Sequence, residues 1–358
     1  MGLVKGIYTC LIKVPLSVLY GIGVYIRNKL YDWKIFKSVH FEFPVINIGN
    51  VMVGGTGKTP HVEFLLSFLT SKYTSAVLSR GYKRKSKGFR YVECTDNIYM
   101  AGDEPLQIKQ KYPHVTVAVD ANRAEGINKL IKDNNAIQLI VLDDAFQHRK
   151  ITVDLNIILV DYNKPVYTDH FLPWGQLRDN ESQLRRAEIV IITKCPDDIQ
   201  PIDLRMMSNI NVRPCQQLYF TSLEYSEKEP VFNDIDLPDT LLEGEGTVVV
   251  TGIASPAVFL NYVKKCFGKI RPLLYPDHHN FTKADIQQIC KEAQKAAIVL
   301  TTEKDSIRLR QWGSDIPPEI KAKMFYVPIT IKFLKDEDKF IEHIFDYVRT
   351  NKSNSRLY

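Results

Sequence analysis

The sequence predicts an α/β protein: a mostly parallel sheet with helices on both faces, a smaller C-terminal α/β lobe, and an N-terminal membrane-associating helix. Two observations carry most of that reading. Short apolar runs at residues 45–48, 76–79, 115–119, 137–142, 155–160 and 189–193 alternate with helical patterns and lack polar alternation, as strands covered on both faces do. The first run leads straight into a glycine turn and then a helical stripe. At roughly 150 residues per domain, 358 residues make about two domains, expected over 41–215 and 216–358 behind a leading helix at 1–40. With 45% hydrophobic and 25% charged residues the chain can bury cores of that size, which excludes disorder, collagen-like repeats and a disulfide-stapled miniprotein.

Residues 1–31 carry Lys5, Lys13, Arg27 and Lys29 and no acidic residue, with an uncharged stretch over 14–26. As a helix that stretch spans about 20 Å, short of the roughly 30 Å hydrocarbon core, so it is not expected to cross a bilayer. No small-residue cleavage site follows it, which argues against a signal peptide. An interfacial helix fits, with Leu16, Leu19, Tyr20, Val24 and Ile26 in the acyl boundary and the cations at anionic headgroups; a buried first helix of the core is the other reading. The net charge of +6 is mild for this length and does not point to nucleic acid. Six cysteines lie far apart with no CxxC pair, which fits a reducing compartment and no zinc ribbon.

The glycine turn is VGGTGKTP, residues 53–60, and Val62, Leu65, Leu66 and Leu69 behind it keep the i, i+3, i+4, i+7 stripe of a helix. Gly54, Gly55, Thr56 and Gly57 form a curl whose N–H groups, with the helix N-terminus, make a cradle for phosphate oxygens. Lys58 reaches the β- and γ-phosphates, and Thr59 offers its hydroxyl to Mg²⁺. This is a P-loop with one departure: Met52 stands where GxxxxGKT has its first glycine.

The apolar run at 140–144 ends in paired carboxylates. Mg²⁺ takes oxygen ligands, so Asp143 or Asp144, at the C-terminal edge of a strand beside the P-loop, is its expected partner. Residues 80–90, RGYKRKSKGFR, carry six basic side chains with Tyr82 and Phe89; such a loop either holds a second anionic group or is solvated surface. In AGDEP, Asp103 followed by Pro105 makes a good helix N-cap. The same carboxylate can also act as general base toward an attacking hydroxyl, and the two roles are compatible.

After Lys194 the pattern loosens, and residues 223–245 read as a linker region. Strands resume at 248–250, 298–301 and 324–328, with a helix at 283–295 opened by the capping box Thr282 to Asp285. Between them, YPDHHNF places Asp277, His278 and His279 in a turn. Adjacent histidines point apart and the spacing is not that of a zinc site, which leaves a histidine that tunes a carboxylate, or a structural turn. TTEKD, residues 301–305, also ends a strand.

GGTGKTP, SRGYKRKSKG, AGDEP, LDDAFQHRK, LPWGQLRD, TGIASP, DHHNF and TTEKD occur in this order within residues 45–309, and together they resemble the tetraacyldisaccharide 4'-kinases, membrane-associated enzymes of lipid A biosynthesis. The basic N-terminal helix agrees. The resemblance implies transfer of phosphate from ATP to the 4'-hydroxyl of a tetraacylated glucosamine disaccharide 1-phosphate at the cytoplasmic face of the inner membrane. It makes Asp103 the catalytic carboxylate, assisted by His278, with Lys58, Thr59, Asp143 and Asp144 around MgATP. Arg80, Tyr82, Arg84, Gln147 and His148 become substrate contacts, and the partners are the lipid and the membrane surface, with neither nucleic acid nor an obligate protein partner. Three positions depart from the family pattern: Ala145 for glycine, Gln176 for proline and Asp179 for glutamate.

Two rival functions remain expressible. A P-loop GTPase or metal-delivery switch would select guanine with an NKxD-like turn, but the nearest segment, at 193–196, has Pro196 where the aspartate is required. A membrane module that uses ATP only to gate assembly gives no reason for Asp103 or His278. Because those two residues fall in different lobes, lobe closure is expected to bring them together.

Overall fold

The computed structural model describes residues 9–208, 213, 215–232 and 245–354. Along the chain the strands of the two larger sheets are β1 (Val45–Gly49), β2 (Ser75–Ser79), β3 (Arg90–Tyr91), β4 (Thr116–Val119), β5 (Leu139–Asp143), β6 (Leu155–Asp161), β7 (Ile189–Thr193), β8 (Gln217–Tyr225), β9 (Glu229–Pro230), β10 (Thr247–Thr251), β11 (Ile270–Leu274), β12 (Ile298–Thr302), β13 (Met324–Val327) and β14 (Ile329–Phe333). The principal helices are α1 (Val14–Asp32), α2 (Lys58–Leu69), α3 (Asp103–Lys111), α4 (Arg123–Asp133), α5 (Ala257–Phe267), α6 (Lys283–Ala293), α7 (Glu303–Arg310) and α8 (Glu337–Asn354).

A nine-stranded sheet runs in the order β14-β8-β7-β6-β1-β5-β2-β4-β3, parallel except where β14 joins β8 and β3 joins β4. A five-stranded sheet runs β9-β13-β12-β10-β11, parallel except at β9. All six apolar runs expected in the first lobe are strands of the first sheet. Their unbroken apolar character has a simple cause: alternate residues serve opposite faces, and both faces are covered. Ile46, Ile48, Val77 and Val141 pack with Leu65, Leu66 and Leu69 of α2, whereas Val45, Ala76, Leu78 and Ile140 pack with Ile127 and Leu130 of α4.

The sheets divide the chain differently from the boundary expected at 215/216. β8, β14 and α8 lie C-terminal to it, yet the strands belong to the first sheet, and Phe340, Ile344 and Val348 of α8 pack in its core. The second sheet is thus built from residues 229–327, inserted between β8 and β14 of the first. The expected linker at 223–245 starts inside β8, and its residues 233–244 lie outside those described. Pairing between strands far apart in sequence decides this division, and no local periodicity records it.

Helix α1 lies on the first lobe by a polar stripe. Ser17 Oγ donates to the Phe171 carbonyl (2.7 Å), Tyr20 Oη to that of Arg178 (3.1 Å), and Asn28 Nδ2 to Asp179 Oδ1 (2.7 Å). Val24 is buried with this stripe, so of the residues expected at an acyl boundary Val24 faces the protein and Tyr20 leans onto it, while Leu16, Leu19 and Ile26 are exposed together with Val18, Ile22 and Tyr25. The outward face is therefore apolar. Among the described residues no helix is long and apolar enough to cross a membrane.

Ionic contacts tie the lobes together. Lys111 of α3 bridges Glu63 of α2 (2.7 Å) and Glu303 of α7 (2.9 Å), and Arg308 of α7 pairs with Asp103 (2.6 Å). Burial, reinforced by the charge of Glu303, pushes the Glu63 carboxyl up to about 7.

His61 in α2 is buried and neutral. Its Nδ1–H donates to the Gly57 carbonyl (2.7 Å), an acceptor only, which leaves Nε2 to accept from Thr221 Oγ1 (3.2 Å). Burial lowers this ring from 6.5 to about 4. The unfolded chain takes up the proton as pH falls through 6.5 and the folded protein only near 4, so stability declines across that window, by up to roughly 3 kcal/mol, and levels off below it. Urea midpoints measured between pH 7 and 4.5 are expected to fall accordingly, and His61→Gln to flatten the slope; an equal slope in both proteins removes His61 as its source.

Candidate active site

The C-terminal ends of parallel strands from both sheets open on one cavity of about 790 Å³, where ligands of open α/β sheets bind. The P-loop follows β1 and ends in α2. Gly57 has φ +89°, a left-handed conformation that turns the chain into the helix and suits glycine alone. Asn50 Nδ2 donates to Thr56 Oγ1 (2.8 Å), Thr193 Oγ1 to the Thr56 carbonyl (3.0 Å), and Lys194, paired with Asp161 (2.6 Å), to the Gly55 carbonyl. Met52, in the place of the usual glycine, is buried and bridges to Leu177, so the entry to the loop is anchored by apolar packing. Residues 54–59 all line the cavity.

Asp143 and Asp144 end β5 in different environments. Arg178 grips Asp144 with two hydrogen bonds (3.0 and 2.6 Å), and Lys58 Nζ lies 3.8 Å away. Burial opposes ionisation of Asp144, but these cations outweigh it and hold the carboxyl well below the usual carboxylate range. Asp143 Oδ2 accepts from Ser79 Oγ (3.0 Å), whereas its Oδ1 is buried without a partner. Burial, with the charges of Glu104 and Asp144, pushes Asp143 up to about 7. An orphaned carboxylate oxygen in a cavity that a P-loop threonine also lines is an environment a divalent cation satisfies. Asp143 with Thr59 therefore fits Mg²⁺ better than Asp144, whose oxygens are already engaged.

At the far side of the cavity, α3 and the second lobe meet. Gly102 (φ +93°) precedes Asp103; a Cβ there would stand 3.1 Å from Gly81 Cα and the Tyr82 carbonyl, so this glycine lets the cationic loop lie directly on the start of α3. Gly102 holds the cap position and Asp103 opens the helix, its Oδ1 accepting from the Glu104 N–H (3.0 Å). Side-chain capping, expected of Asp103, is absent because the cap position falls on Gly102, which has no side chain; Asp103 Oδ2 instead accepts from His278 Nδ1 (2.8 Å) and Arg308 Nη2 (2.6 Å). Burial would raise this carboxyl, but the His278 hydrogen bond and the charges of Lys304 and Arg308 hold it far below the usual range. Residues expected to need lobe closure are thus already joined.

Arg80, Tyr82, Gln147 and His148 line the cavity, and Tyr82 packs edge-on against the His278 ring at 5.1 Å. Burial, with the charges of Arg123 and Lys150, lowers His148 to about 4, and its Nε2 is buried unpartnered. Arg84 is the exception: it does not reach the cavity, because its guanidinium donates to Ser86 Oγ (3.1 Å) and the Gly88 carbonyl (2.6 Å), closing its own loop. Sequence reasoning missed Arg178, Lys304 and Arg308. The first two sit inside the quoted motifs LPWGQLRD and TTEKD; Arg308 is signalled only by its i+3 spacing from Asp305, with which it pairs (2.7 Å).

A glycine cradle with its lysine, two unlike carboxylates and an aspartate-bonded histidine lining one cavity define a P-loop phosphotransferase class of protein. The chain matches the family described as tetraacyldisaccharide-1-P 4'-kinase over residues 9–349. It is 45% identical over 354 residues to the tetraacyldisaccharide 4'-kinase of Phocaeicola vulgatus, covering 96% of both chains. To that of Bacteroides thetaiotaomicron it is 44% identical, covering 95% of this chain and 94% of the relative. A crystal structure of LpxK from Aquifex aeolicus in complex with ATP superposes with a TM-score of 0.71 at 28% identity, covering 94% of this chain and 98% of the other. The chain belongs to the tetraacyldisaccharide-1-P 4'-kinase family.

Proposed function

We propose that this protein, working at the cytoplasmic face of the inner membrane, binds MgATP at the P-loop and passes the γ-phosphoryl group to the 4'-hydroxyl of a tetraacylated glucosamine disaccharide 1-phosphate, with His278 accepting the hydroxyl proton. The observation that carries the reading is the hydrogen bond of His278 to Asp103, with His278 lining the same cavity as the P-loop. Lys58 neutralises charge growing on the transferred group. Asp143 and Thr59 would hold Mg²⁺, which would supply further charge neutralisation there.

The roles of the two partners follow from access. Asp103 does not line the cavity, both its oxygens are engaged, and its carboxyl is strongly ionised; such a group is a weak base out of reach of a substrate. His278 does line it. Asp103 is therefore the positioning residue and His278 the proton acceptor, the reverse of the expected assignment. Arg80, Tyr82, Gln147 and His148 contact the disaccharide and its phosphate, while Arg84 shapes the loop that carries Arg80 and Tyr82.

The apolar outer face of α1 supports a peripheral membrane site for a substrate that stays in the bilayer. Replacing Leu19, Ile22 and Ile26 by serine leaves the inward stripe intact and is expected to weaken co-sedimentation with anionic vesicles at least roughly tenfold, since each side chain contributes on the order of 1 kcal/mol or more when buried; unchanged sedimentation refutes this role. The activity itself is tested by incubating the protein with γ-labelled ATP, Mg²⁺ and the tetraacyl disaccharide 1-phosphate. Label is expected in the lipid at the 4'-position. Label released only as inorganic phosphate, or a strong preference for GTP, overturns the reading.

A further inference from the structure

His278 makes a contact beyond the one that joins it to Asp103. Lys304, the fourth residue of TTEKD and the second of α7, places Nζ 3.1 Å from His278 Nε2 and 3.0 Å from Glu104 Oε1. An ammonium group has donors only. Nε2 must therefore accept from it, and an imidazole that accepts at Nε2 while bonded to a carboxylate at Nδ1 is neutral, with its proton on Nδ1.

Resting on the reading of His278 as proton acceptor, we propose that Lys304 is a positioning residue for that histidine: its ammonium fixes the neutral Nδ1–H form and occupies the reactive Nε2 lone pair until a substrate hydroxyl takes its place. The surroundings of the ring fit a neutral imidazole. Asp103 and Glu104 face it from α3, Lys304 from α7 with Arg308 behind Asp103, Asp277 from its own turn (3.9 Å), and Tyr82 and Lys83 from the cationic loop. The cations nearest the ring are already paired, Lys304 with Glu104 and Arg308 with Asp103 and Asp305, so the neutral form rests on the ammonium that donates to Nε2. Lys304 is held protonated: burial works against the ammonium, but the charges of Glu104 and Asp103 outweigh it and raise Lys304 above its usual value. When a hydroxyl displaces it from Nε2, Glu104 remains as its partner.

The arrangement has a kinetic signature. A cation at Nε2 disfavours protonation of the ring, so Lys304→Met is expected to move the acidic limb of the kcat–pH profile up by about one pH unit, with activity at alkaline pH largely kept; Lys304→Arg keeps the limb near its wild-type position. Selective ¹⁵N-histidine NMR on the full-length wild-type protein, with the His278 signal assigned from His278→Gln, is expected to show the Nδ1–H form at neutral pH. An acidic limb in Lys304→Met that coincides with wild type, or an Nε2–H form in the wild-type spectrum, overturns the proposal. If Lys304→Met does not fold, the wild-type spectrum alone decides. Full turnover in His278→Gln sinks the proton-acceptor reading instead, and the tautomer is still read from the spectrum.

Discussion

His278→Ala lowers kcat by roughly two to four orders of magnitude, the usual contribution of a positioned general base, while the KM for ATP changes little because the side-chain contacts of His278 are to Asp103, Lys304 and Tyr82 rather than to the P-loop. Asp103→Asn gives a second, distinguishable result. It too depresses turnover, by weakening the orientation of His278, but it also costs the buried Arg308 guanidinium one of its two carboxylates, leaving Asp305 alone, a loss of about 1.5–3 kcal/mol. Steady-state kinetics with thermal unfolding of both variants separate the two: loss of rate without loss of stability is expected for His278→Ala, loss of both for Asp103→Asn. Wild-type turnover in His278→Ala removes the histidine from the chemistry.

Lys58→Met is expected to reduce kcat/KM for ATP by roughly 10²–10³-fold, the scale of one preorganised charge lost from a developing oxyanion. Its unfolding midpoint changes little, since Asp144 keeps both hydrogen bonds from Arg178 and Lys58 stands 3.8 Å away. Kinetics across an ATP titration check this; a loss under threefold means that the phosphate chain is gripped elsewhere.

Much of the nucleotide half was legible because it is local. A strand, a glycine curl and a helical stripe are adjacent in sequence, and steric and hydrogen-bonding rules act over those few residues. The acceptor half was less so. Asp103 read equally well as a helix cap, and His278 as part of a turn; what separates these readings is which side chains come within 3 Å, and Asp103 meets His278 and Arg308 from the other lobe. Arg84 is the converse case: its charge suggested substrate, and its loop geometry turned it inward.

Residue order alone determined the class of sheet, the glycine curl after β1 and the apolar leading helix, because apolar period, glycine placement and charge distribution are properties of short stretches. Tertiary structure decided the rest: that β8, β14 and α8 return to the first sheet, that Val24 faces inward while Ile22 faces out, that Asp143 keeps an unsatisfied oxygen while Asp144 is clamped, and that Lys304 meets His278. Each of these depends on groups distant in sequence sharing one desolvated space, where a hydrogen bond or charge is strengthened by burial and its partner is set by the path of the backbone.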